Sequence, residues 1–127
     1  MNLDTSLDLL RRWAAQEPDR CRENPAGHLA RYLVRFEPGE YPVSGSDSRF
    51  NLAILLEALL QAIALHYLRV QLDNFGNGQD WTARLLRSHA PAVQIQATDR
   101  KAAIALLKAY VQWLEAQATT AGKVGNE

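Results

Sequence analysis

The chain has 127 residues, 14 basic and 14 acidic, with 47% hydrophobic and 22% charged residues, which gives room for one domain with its own core and little for a second. Both signs of charge are mixed along the whole length, so nucleic acid is disfavoured as a sole partner; eleven of the basic residues are Arg, which leaves open a local patch for phosphate or carboxylate. Cys21 is the only cysteine, which excludes an intrachain disulfide framework.

Aromatic residues are few, so the core must be built chiefly from Leu, Ala and Ile, a mixture suited to a helical bundle. The first helix is expected over about Thr5–Gln16, with Leu7, Leu10 and Ala14 on one side, Trp13 at its flank, and an Asp8–Arg12 pair on the wet side. Pro18 closes it. The opening run MNLDTSLDLLRRW has acids where a secretory leader carries bases, so the cytoplasm is the expected address. Cys21, within the charged run DRCRE, reads as an exposed, inert thiol.

Asn24-Pro25 has the pattern of an N-cap followed by proline at the first helical position. Leu29, Tyr32, Leu33 and Phe36 then keep helical spacing up to Glu37-Pro38-Gly39. A loop of about a dozen residues follows. The segment Asn51–Leu72 is apolar almost all the way round. Read as a helix, it needs cover on most sides, from the rest of the chain or from a second copy. It is long enough to cross a bilayer, but Glu57, His66 and Arg69 interrupt it, and each charge near a membrane centre costs about 2.5–3.5 kcal/mol. A buried core helix is therefore expected, and no membrane association.

Asp73-Asn74-Phe75-Gly76-Asn77-Gly78 is a turn cluster. A short helix is expected from Trp81 to about Ser88. The stretch 91–97 alternates Val93 and Ile95 with polar residues and reads as extended. Thr98-Asp99 introduces a last helix to about Thr119, with Ala103, Leu106, Leu107, Tyr110, Val111 and Leu114 facing inward. The predicted architecture is all-α: a bundle of four main helices plus one short helix, forming a single domain over 1–120 with a flexible tail over 121–127.

The chemistry-bearing motifs are few. His28, His66 and His89 have no helix-borne ligand spacing and there is no second cysteine, so no metal is expected. There is no G-x-S-x-G elbow, no phosphate-binding glycine loop and no regular calcium loop, so no catalytic residue and no cofactor is assigned. A candidate polar cleft groups His66, Arg69 and Asp73 near one helix end, with His66 as acid or base. A candidate interaction surface groups Tyr41 and Phe75 with Trp81, Arg84 and Arg87.

The reading that results is a non-catalytic interaction protein: an adaptor, an immunity-type inhibitor or a small structural subunit. Its partner would be another protein, or a second copy in a homodimer. Two alternatives stand beside it: a small-ligand binder or enzyme using the His66 cleft, and a helical subunit of a nucleoprotein complex touching nucleic acid through Arg84 and Arg87.

Overall fold

A computed structural model describes residues 3–25, 31–37, 39–43, 49–74, 80–87 and 90–125. In chain order these form α1 (Leu3–Gln16), β1 (Cys21–Glu23), β2 (Tyr32–Phe36), β3 (Gly39–Val43), α2 (Arg49–Ala64), β4 (Leu68–Asn74), β5 (Trp81–Arg87), β6 (Ala90–Asp99) and α3 (Ala102–Gly125). The fold is mixed α/β, with three helices and two three-stranded antiparallel sheets ordered β1-β2-β3 and β4-β5-β6.

This overturns the all-α bundle, and the reasons lie in three segments. Tyr32-Leu33-Val34-Arg35-Phe36 fits helical spacing at its ends, but it is aromatic and branched. As a strand it buries Tyr32 and Val34 while Arg35 faces water. The expected helix at Trp81 is strand β5, whose alternation buries Ala83 and Leu85. The long apolar helix of 51–72 ends at Ala64. Beyond it Leu68, Val70 and Leu72 alternate with Arg69, Gln71 and Asp73, a period of two concealed inside an apolar run.

The helix α2 is apolar around most of its circumference because α3, β2, β3 and β4 all pack on it. Helix α3 carries the centre of the core, packed against β5 and β6 on one side and α1 and α2 on others. Ala105, Leu106, Leu107, Ala109, Tyr110 and Val111 are all fully buried there. The expected first and last helices and the extended 91–97 stretch are all present, and α3 continues to Gly125. Asp99, buried at the end of β6, turns the chain into α3: its carboxylate accepts from the Lys101 amide at 3.1 Å and from Lys108 Nζ at 3.1 Å. Arg12 binds Glu115 through two nitrogens at 3.0 and 2.6 Å, tying α1 to α3.

Cys21 is fully buried on β1, with its Sγ 3.6 Å from the Leu10 carbonyl. The exposed thiol read from DRCRE is corrected by strand alternation, which turns Cys21 inward and Arg22 and Glu23 outward. Burial pushes the thiol up to about 12. Among the described residues, no helix is long and apolar enough to cross a membrane.

Candidate functional site

The chain reverses direction twice near one point: where α1 passes into β1, and where α2 passes into β4. Glu17 stands at the first reversal. Its amide donates to the Trp13 carbonyl at 2.8 Å, and its own carbonyl accepts from Arg20 and Cys21 at 2.9 and 3.0 Å. This closes the end of α1 and aims the carboxylate inward, where Oε1 accepts from Trp13 Nε1 at 3.1 Å and from the Tyr110 hydroxyl at 2.5 Å.

His66 stands at the second reversal, with its Nε2 2.9 Å from Glu17 Oε2. A carboxylate can only accept, so beside ionised Glu17 the hydrogen of this bond belongs to His66 Nε2. The imidazole lies 4.9 Å from the Trp113 ring and 6.0 Å from the Tyr110 ring, centroid to centroid. Trp13 meets Tyr110 edge-on at 6.0 Å. One carboxylate thus joins donors from α1, α3 and the α2–β4 turn. Burial, and then the bond to Glu17, hold the Tyr110 phenol well above its ordinary value.

The turn itself is tight. The His66 amide reaches the Ile63 carbonyl at 3.0 Å, and the Tyr67 amide reaches Ala64 at 3.0 Å. Tyr67 has φ of 59°, the left-handed conformation that commonly ends a helix and normally falls to glycine. With His66 pinned inward, its two neighbours point out: Leu65 is 60% exposed and Tyr67 78%. Leu60, 38% exposed, continues this apolar surface along α2.

Beside the turn lies a cleft of about 440 Å³, lined by Glu17, Asp19, Arg20, Arg35, Leu65 and His66 among others. Arg20 Nη1 is buried there without a hydrogen-bond partner among the described residues.

The structure does not gather the expected cleft of His66, Arg69 and Asp73. Asp73 sits five residues beyond the start of β4, about 16 Å along the strand, where it pairs with Arg84 and accepts from Gln71. Arg69 is exposed on the same strand. The expected interaction residues are also dispersed. Tyr41 stacks on Phe36 at 4.3 Å in the first sheet, whereas Trp81 packs half-buried against the core from the second. Arg84 is taken up by Asp73 and by Gln96 at 3.3 Å. Arg87 is exposed at the end of β5, and Phe75, like His28 and His89, lies outside the described residues. No group of three or more His, Cys, Asp and Glu side chains suited to a metal occurs among the described residues.

Sequence reasoning found His66 but missed Glu17, which lies 49 residues away and meets it only through the fold. The signal for the turn was present in the alternation that begins at Leu68. Comparisons with protein families, with curated proteins and with solved structures find no match to this chain.

Proposed function

We propose that this chain is a non-catalytic protein-interaction module of the cytoplasm, whose contact surface is the α2–β4 turn together with the outer stripe of α2. The observation that carries this reading is the outward pair Leu65 and Tyr67, held in a left-handed turn beside the part-buried bond from His66 to Glu17. At their exposures the two leave on the order of 250 Å² of largely apolar side chain in water. Covering it is worth at most about 6 kcal/mol before ordering costs. The charged cleft next to them supplies the polar rim that such hot spots have.

The outer stripe also bears on what the partner is. Ala53, Glu57, Leu60 and Ala64 are exposed along one line of α2. A second copy laid antiparallel about the midpoint of this line would bring two Glu57 residues within about 4.5 Å along the axis, like charges in a drying interface. A different protein, with a basic residue opposite Glu57, suits the surface better than a homodimer.

The test compares wild type with Leu65→Ser and Tyr67→Ser in affinity capture from the host. A partner held by wild type and lost with both variants, at unchanged circular dichroism, supports the proposal. Equal capture by all three refutes this surface as the contact.

A further inference from the structure

A second cleft, of about 710 Å³, which the site above does not use, lies between α1 and the β1–β2 end of the first sheet. Its volume lies within the roughly 300–1,000 Å³ usual for small-molecule sites. Leu7 and Pro25 give it an apolar wall, and Arg11, Arg22 and Arg31 outnumber the two acids, Asp8 and Glu23.

Its polar anchor is Tyr32. That residue is only 6% exposed, its ring belongs to the core, and it lines the cleft. Its hydroxyl is the polar tip of a ring whose body belongs to the core. Burial, and then the Glu23 carboxylate, hold this phenol above its ordinary value, and Arg11 and Arg31 lie near enough to oppose them.

The three arginines differ in availability. Arg22 is held by Glu40 through two bonds, at 2.9 and 3.0 Å, on the outer face of the sheet. Arg11 pairs with Asp8 within α1, where both are exposed, and such a pair is exchanged at little cost. Asp8 also has Arg12 nearby to answer its charge. Arg31 is exposed and has no ion pair among the described residues.

We propose that this cleft binds a small molecule with an oxyanion head, phosphate or carboxylate. The head accepts from the Tyr32 hydroxyl, Arg31 and Arg11, and the apolar body lies against Leu7 and Pro25. A guanidinium presents paired donors to two oxygens at once, and the fixed hydroxyl supplies a third donor from the floor. Glu23 at the same wall disfavours a second anionic group, which limits the ligand to one such head.

The experiment is an NMR titration of the labelled full chain at low salt, with phenyl phosphate and, separately, benzoate. Saturable shifts at cleft residues are expected with at least one probe. Tyr32→Phe, which deletes one oxygen from a packed ring, and Arg31→Gln should each weaken binding about tenfold, with Arg69→Gln, on the other sheet, as an unaffected control. Preference for phenyl phosphate assigns the head to phosphate, and preference for benzoate assigns it to carboxylate. Absence of saturable shifts with both probes at about 10 mM, or binding insensitive to both substitutions, overturns the proposal.

Discussion

Replacing Glu17 by alanine should be among the most damaging single changes available outside the hydrocarbon core. Trp13 and Tyr110 are both fully buried, so loss of Oε1 strands an indole N–H and a phenol O–H away from water. Each stranded donor costs about 1–3 kcal/mol. His66, whose side chain is 32% exposed, recovers water and adds little. The sum is about 4 kcal/mol, a large share of the 5–15 kcal/mol typical of a whole domain, and a fall in Tm of roughly 15 °C for this chain length. Glu17→Gln separates charge from shape. The amide oxygen still serves Trp13 and Tyr110, while its NH2 faces His66 Nε2, which must switch tautomer in order to accept. The cost should then be about 1–2 kcal/mol. Urea unfolding followed by tryptophan emission measures both variants, and imidazole nitrogen shifts report the tautomer. An alanine variant that loses less than about 1 kcal/mol, or a glutamine variant as damaged as the alanine one, would refute the assignment of Glu17 as the shared acceptor.

Three further outcomes are expected. Tyr67→Asn keeps a residue that tolerates the left-handed turn, and partner affinity should fall about thirtyfold or more, in the range of an aromatic hot spot, which calorimetry with the captured partner measures. Asp99→Ala should cost about 2 kcal/mol in urea, since it removes the acceptor of the Lys101 amide and leaves Lys108 with the Thr98 carbonyl but no carboxylate. Stability should also decline with alkali. Cys21 titrates near 9.0 when unfolded and at about 12 when folded, so its contribution is complete below pH 9 and is lost as pH rises towards 12, at up to about 1.4 kcal/mol per pH unit. Tyr110, also raised, adds the same sign above about pH 10. Measured between pH 9 and 10, Cys21→Ala should abolish most of the slope; an unchanged slope would disprove the linkage.

What the sequence carried was local. The inward stripes of α1 and α3 could be read because Leu10, Trp13, Leu106, Leu107 and Tyr110 repeat at helical spacing and are buried as that spacing implies. β6 could be read from the alternation at Val93 and Ile95. The errors arose where two periods overlap. Tyr32, Leu33 and Phe36 satisfy a helical template over one turn, and only the pairing of Tyr32 with Val43 and of Val34 with Cys21 and Tyr41 selects the strand. Strand pairing is non-local, so the competing energy was not written in the segment itself.

The candidate site was even less legible, because its members meet through tertiary structure alone. His66 stands out as a polar residue in an apolar run, and helical spacing groups it with its neighbours in sequence, Arg69 and Asp73. That grouping assumed a helix, in which residues three and seven positions on share a face. At Ala64 the helix gives way to a left-handed residue and then a strand, which carries Asp73 away towards Arg84 and brings Glu17 from the end of α1 in its place. The same switch explains the exposed apolar pair. In a continuing helix Leu65 would have joined the packing of α2. Here His66 bonds inward to one part-buried carboxylate, and Leu65 and Tyr67 point outward together. A tyrosine kept in the left-handed region costs about 1–2 kcal/mol that glycine would not, and the bond from His66 to Glu17 beside it holds the turn in place against that cost.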